Sequence, residues 1–274
     1  MGRKLIIPGA DFSANGIEIP LIVTIKANKS ITIGGKTYTA GDADTDFEID
    51  TIPSDFYLNY NEDVKYIRIG SPFTIPSMGG AFRDLANLEE IVFAAKVRTT
   101  VGIANILFAN NASLKKFNAK NLYYEADNAS MIFYNCPALT EVKNIDNFSE
   151  NITNTSLMFS GCSELTSLDL RNLKTANVTD MSNMFKDCKK LRTLTLGNGW
   201  KMTANPNVTA MFNNCLALTE IFAPSLVASD YNKEGTDTYK FMQGFVSVAA
   251  LSDNITIHCG SGKLIWQNSV WSVA

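Results

Sequence analysis

An α/β solenoid, a stack of similar coils that each contribute one short helix and one parallel strand, is the fold class predicted for this chain of 274 residues. Three observations predict it. First, apolar residues change period within one stretch, Asn177 to Leu196. Val178, Met181, Met184, Phe185 and Cys188 recur at three- and four-residue steps, as on one face of a helix. Leu191, Leu194 and Leu196 follow, the last two alternating as in a half-buried strand. Second, the pattern recurs: a large apolar marker is followed by apolar residues six, nine and eleven positions on, as Leu165, Leu168 and Leu170 follow Phe159. Third, the markers Leu58, Phe82, Phe108, Phe133, Phe159, Phe185 and Phe212 are separated by 24, 26, 25, 26, 26 and 27 residues. One such unit cannot bury its apolar face alone, so stacking is required to make a core.

The elements follow in order. Residues 1–57 differ in kind and read as a β-rich N-terminal cap or subdomain. Ile17 to Ile25 and Ser30 to Tyr38 are rich in Ile, Val and Thr, and Gly34-Gly35 between two short β-prone runs predicts a hairpin. Asp42 to Asp46 is an acidic turn. Residues 58–258 are expected to form about eight coils. The coil marked by Phe133 keeps Leu139 and Val142 on schedule, but its next apolar residue, Ile145, comes one place late. A degenerate last coil is expected from Phe241 to a strand at Ile255 to His258, closed by a tail over 259–274. Trp266 and Trp271 in that tail read either as a cover for the last coil or as a surface binding patch.

A period in the twenties with a leucine-bearing strand is the mark of leucine-rich repeats. The segments MFSGCSELTSLDL (158–170), MFKDCKKLRTLTL (184–196) and MFNNCLALTEIFA (211–223), with the flanking NVTDMSNMF and NITNTSLMF, narrow the match. They resemble the bacterial BspA-like leucine-rich repeats over roughly residues 81–223, and less closely over 58–80. Leu85 and Asn111 depart from the pattern by occupying the cysteine slot. The resemblance implies a right-handed solenoid with parallel strands on one face and short helices on the other. It also implies a bacterial cell-surface or secreted protein that attaches to host or microbial partners. The opening KLIIPGADFSANGIE resembles the start of some proteins from gut Bacteroidetes and their phages, which implies the alternative of a structural component of a virion or envelope assembly.

Composition bounds the chemistry. Hydrophobic residues make up 46%, enough for a continuous core, while charged residues at 19% fall below the roughly 25% usual in soluble proteins. A net charge of −3 without any basic block argues against duplex nucleic acid or an anionic membrane as partner. No apolar run approaches the roughly 18–20 residues of a membrane-spanning helix. The N-terminus has only three consecutive apolar residues before Pro8, too few for a signal-peptide core, so either the protein is not exported by that route or a leader has been removed.

Candidate catalytic groups are few. Cys136, Cys162, Cys188 and Cys215 share one slot in successive coils. Zinc needs its sulfurs about 2.3 Å away, whereas packed helices lie about 8–10 Å apart, so one ion cannot hold all four. They read as buried free thiols, with Cys259 outside the ladder and its state open. The single histidine, His258, is adjacent to Cys259 in a predicted strand, where neighbouring side chains face opposite ways and cannot form a catalytic pair. Gly260 to Lys263 reads as a turn, lacking phosphate-loop spacing. The sequons at Asn151 and Asn177 recur with the repeat, as turn and cap residues do. Neither an enzyme nor a cofactor or metal site is expected.

The outward strand positions remain. These are Tyr66 and Arg68, Glu90 and Val92, Lys116 and Asn118, Glu141 and Lys143, Ser167 and Asp169, Thr193 and Thr195, and Glu220 and Phe222, flanked by Lys120 and Arg171. The row reads either as a solvated face or as the binding surface for a protein or other macromolecular ligand. On the second reading Phe222 and Tyr66 are its aromatic anchors and the charged residues its rim.

Overall fold

The computed structural model describes residues 21–33, 36–49, 63–70, 72–75, 80–99, 105–246, 251–252 and 254–274. Residues 1–20, the marker Leu58 and the Gly34-Gly35 turn lie outside them. In chain order the strands are β1 (Leu21–Ile25), β2 (Ser30–Ile33), β3 (Lys36–Thr39), β4 (Thr45–Ile49), β5 (Val64–Ile69), β6 (Phe73–Ile75), β7 (Glu90–Phe93) and β8 (Val97–Thr99). Next come β9 (Lys116–Asn118), β10 (Leu122–Tyr123), β11 (Glu141–Lys143), β12 (Ser167–Leu170), β13 (Thr193–Leu196) and β14 (Glu220–Val227). A short helix, α1 (Asp237–Met242), precedes β15 (Asn254–Ser261), β16 (Lys263–Gln267) and β17 (Val270–Val273).

Alternating apolar residues in each coil make one strand, and stacking the coils pairs those strands in parallel. One run is β5-β7-β9-β11 and the other β12-β13-β14-β15. The two ends extend these sheets rather than lie across them. At one end β1 pairs antiparallel with β5, and β4 with β1. At the other, β16 and β17 add antiparallel to β15. The expected hairpin is present as β2 paired with β3. A second, narrower parallel row, β6-β8-β10, was not foreseen in the sequence. The parallel coils stack as a β-solenoid of about six turns. Phe241 lies in α1, buried with its ring 5.7 Å from Phe212, and the strand that follows, β15, pairs parallel with β14 and runs to Ser261, beyond the expected end at His258.

The helix expected in each coil is not formed in the described coils before β14: among the described residues α1 is the only α-helix, and the segments before β7, β9, β11, β12, β13 and β14 are chains of tight turns. Hydrogen bonding gives the reason. A helix sends every amide back to the carbonyl four residues earlier. Here alternate amides leave the coil: Met181, Asn183, Phe185 and Asp187 donate to Asn207, Thr209, Met211 and Asn213 of the next coil at 2.8, 3.0, 3.0 and 2.9 Å. The amides between them, on Met184, Lys186 and Cys188, close three-residue turns onto Met181, Asn183 and Phe185. Two left-handed residues four apart, Asn183 (φ 56°) and Asp187 (φ 61°), make this alternation geometrically possible. The pair recurs at Ile106 and Asn110, Met131 and Asn135, Leu157 and Gly161, and Ala210 and Asn214. Left-handed Ile, Met and Leu are uncommon, since their Cβ crowds the backbone. The inter-coil bonds hold them there. Because i,i+3 turns space inward residues much as a helix does, the apolar period alone could not separate the two.

The marker phenylalanines run through the interior as one stack. Phe82, Phe108, Phe133, Phe159, Phe185 and Phe212 are fully buried, with successive ring centroids 5.7, 5.7, 5.5, 6.1 and 5.5 Å apart. Phe245 continues the stack at 4.4 Å from Phe212, and Trp271 packs edge-on against Phe245 at 5.2 Å. Trp266 lies 5.3 Å from Trp271 across the β16–β17 pair, so the two tryptophans cover the last turn.

Beside this stack runs the cysteine slot. Sγ of Cys136, Cys162, Cys188 and Cys215 donates to the carbonyl of Phe108, Phe133, Phe159 and Phe185, at 3.2, 3.2, 3.2 and 3.0 Å. All four thiols are free and buried. Burial pushes those of Cys136 and Cys215 up to about 12, and those of Cys162 and Cys188 well above the usual thiol range. The thiolate is the reacting species. At pH 8 the native protein should therefore release thiol-reagent colour slowly, Cys259 first, and all five cysteines should react rapidly after denaturation. A disulfide between any two slot cysteines in native protein would contradict this register.

Candidate functional site

Strand register sets where the outward side chains fall. Tyr66, Glu90, Lys116 and Glu141 stand opposite one another across β5, β7, β9 and β11, and Arg68, Val92, Asn118 and Lys143 form the parallel row. On the other run Ser167, Thr193, Glu220 and Thr256 align, beside Asp169, Thr195, Phe222 and His258. The structure thus brings the predicted residues into two rows on one face. Lys120 and Arg171 follow their strands, and their amides donate to the carboxamide of Asn118 and the carboxylate of Asp169.

Charges on this face are paired locally. Lys143 Nζ lies 2.5 Å from Glu141 Oε1, and Arg171 Nη2 lies 2.6 Å from Asp169 Oδ2. The hydrogen bond from Lys143 holds the Glu141 carboxyl below its usual range. Burial pushes the Asp169 carboxyl up, but the bonds from the Arg171 side chain and amide outweigh it and hold that group low as well. Exposed pairs of this kind are worth about 0–1 kcal/mol, so an incoming partner can exchange them at little cost.

The aromatic anchors differ. Tyr66 is half-buried, and its hydroxyl donates to Glu89 at 3.3 Å. Phe222 is 40% exposed and lies flat on the His258 ring, with centroids 4.5 Å apart and an interplanar angle of 9°. His258 Nε2 lies 2.5 Å from Glu220 Oε2. His258 therefore belongs to the outward row. The alternation of its strand could have placed it there, but only once β15 was known to continue the ladder of β14.

Between β11 and β12 the sheet is broken. Elsewhere one rung repeats from coil to coil: Glu89 to Lys65, Lys115 to Glu89, Thr140 to Lys115, Arg192 to Thr166, Thr219 to Arg192 and Thr256 to Thr219, each amide to carbonyl. Among the described residues the Thr166 amide makes no such bond to the Thr140 carbonyl. The late Ile145 explains it. Val142 and Ile145 are both buried, three residues apart where Leu168 and Leu170 are two apart. To seat the extra residue, Asn144 turns left-handed (φ 57°) and Ile145–Asn147 coils into a 3-10 turn directly after β11. A half-open cleft of about 630 Å³ results, lined by Thr140, Glu141, Lys143, Thr166, Asp169 and Arg171 among others. The sequence showed the late residue but not its consequence.

Among the described residues no three His, Cys, Asp or Glu side chains are grouped to hold a metal ion, and no helix is long and apolar enough to cross a membrane.

Residues 126–232 match a family described as "Mycoplasma protein of unknown function, DUF285". The match spans less than half of the chain and falls on the coils that carry the cysteine slot and the sheet break. No curated protein matches the chain, and no solved structure does.

Proposed function

We propose that this protein is a non-catalytic interaction module that binds a protein or other macromolecular partner through its outward strand face. By resemblance to the BspA-like repeats, its setting is a bacterial surface or secreted protein engaged in adhesion. The observation that carries the reading is the alignment of the outward residues into two regular rows, with weakly paired charges at the centre and an exposed ring, Phe222, towards one end. Such extended sheet faces are what repeat proteins offer to macromolecules.

The mixed charge makes the association salt-sensitive, since exposed charges are screened over a Debye length of about 8 Å at physiological salt. The test is to capture a partner from host or microbial surface extracts on the immobilised protein, then measure its affinity against salt. Replacing Lys116, Lys143 and Arg171 together by Glu should weaken binding at least tenfold, mainly through the on-rate, and flatten or invert its salt dependence. Unchanged affinity and unchanged salt dependence would move the binding site off this face.

A further inference from the structure

One face of the Phe222 ring is open. Along the outward row Asp169, Thr195, Phe222, His258 and Lys263 stand in register on β12, β13, β14, β15 and β16. His258 covers the Phe222 face that looks towards β15, with the two rings nearly parallel and their centroids 4.5 Å apart. The opposite face looks over β13, where Thr195 is too short to cover it, and the ring stays 40% exposed. Beyond Thr195 stands Asp169, with the Arg171 guanidinium bound to it at 2.6 Å. Two strand spacings, about 9.6 Å, separate β12 from β14. A flat ring needs about 3.5–4.0 Å of clearance on each side, so the trough above β13 takes one such ring and not two. Its floor, Thr193 and Thr195, offers hydroxyls that both donate and accept. The carboxylates beside it, Asp169 and Glu220, are already bonded to Arg171 and His258, which favours an uncharged ligand over an ion. An apolar flat face with a rim of hydroxyls describes a pyranose ring. Its C–H bonds suit the electron-rich face of Phe222, and its hydroxyls suit the threonines.

We propose that this trough binds a neutral pyranose of a glycan carried by the partner, with the sugar's C–H face on Phe222 and its hydroxyls on Thr193 and Thr195. The proposal rests on the interaction-module reading and gives that reading a ligand class. Contact with a single open ring makes binding of one sugar weak, in the millimolar range, so firm attachment needs several such contacts or the charged centre of the face alongside. Because the sugar is uncharged, its binding is indifferent to salt, unlike that of the charged centre. A planar side chain of a partner protein, tyrosine or arginine, has a similar flat shape, and the test separates the two.

The probes are methyl β-D-glucopyranoside and methyl β-D-galactopyranoside, titrated into the full-length protein and followed by NMR. His258 is the only histidine in the chain, so its ring C–H signals report on the trough from behind Phe222. At least one pyranoside should shift these signals in a saturable way and receive saturation transfer at its own ring C–H protons. Affinity should fall at least fivefold in Phe222→Leu, which keeps an apolar side chain but removes the ring. It should fall at least threefold in Thr195→Val, which keeps the shape of the floor without its hydroxyl. Both variants should melt within a few degrees of the parent, and if Phe222→Leu does not fold, Thr195→Val and the salt series carry the test. Tyr134→Ala, which removes an exposed ring from the turns before β11, should change affinity less than twofold, and so should a tenfold rise in salt. Absence of a saturable shift with either pyranoside, or undiminished binding by Phe222→Leu, would overturn the proposal. Tighter binding of N-acetyl-L-tyrosinamide or L-argininamide than of either pyranoside, read at the same signals, would also overturn it. That result puts a protein side chain in the trough and leaves the interaction-module reading standing. The interaction-module reading fails separately, if the Lys116, Lys143 and Arg171 triple variant keeps full affinity for a captured partner.

Discussion

Phe185→Ala is expected to lower the unfolding free energy by about 3–5 kcal/mol in denaturant melts, the range for truncating a fully buried phenylalanine. The ring is fully buried and lies between two others, Phe159 at 6.1 Å and Phe212 at 5.5 Å, so its removal opens a void with aromatic walls on both sides. Its own backbone also limits collapse. The Phe185 amide donates to Met211 at 3.0 Å, and its carbonyl accepts from Cys188 and from Cys215 Sγ. The main chain is pinned twice to the following coil and once within its own, and cannot move in to fill the gap. Phe185→Leu, which keeps most of the volume, should recover roughly half of the loss. A loss below about 1 kcal/mol for Phe185→Ala would mean that the stack is not the core of the solenoid.

Asn111→Ala should cost about 3 kcal/mol or more, for a reason that has little to do with volume. Asn111 is fully buried in the slot that holds cysteine in later coils. Its carboxamide accepts from the Leu85 amide at 2.9 Å and donates to the Phe82 carbonyl at 2.9 Å. Alanine removes the acceptor of the buried Leu85 amide and a donor to the Phe82 carbonyl, each worth about 1–3 kcal/mol. Asn111→Cys should be milder, by about half. A thiol can donate to Phe82 as Cys136 donates to Phe108, but it leaves the Leu85 amide unanswered. Equal losses in the two variants, measured by denaturant melts, would show that the slot is filled for size alone and not for hydrogen bonding.

That slot shows how far a linear pattern can be read. Cysteine at a fixed distance after phenylalanine marks an inward position, and burial follows from apolar character and period. The pattern does not reveal that every occupant except Leu85 donates to the phenylalanine carbonyl one coil earlier. Asn111 therefore looked like a departure from the repeat, and in the structure it performs the slot's task with a stronger donor.

The sequence by itself determined the stacking of coils, the parallel strands, the buried rows and the identity of the outward residues. These follow from side-chain period, which is local and repeats in step with the chain. The tertiary structure alone decided three matters. It made tight turns of the predicted helices, because alternate amides found carbonyls in the next coil and not in their own. It placed His258 against Phe222, because β15 joins the ladder begun by β12. It opened the cleft between Thr140 and Thr166, because one extra residue before Ile145 cannot be absorbed by an extended strand that must also keep Val142 buried. In each case the outcome depends on hydrogen bonds or contacts between residues about twenty-five or more positions apart. Such pairings are invisible to a periodicity confined within one coil.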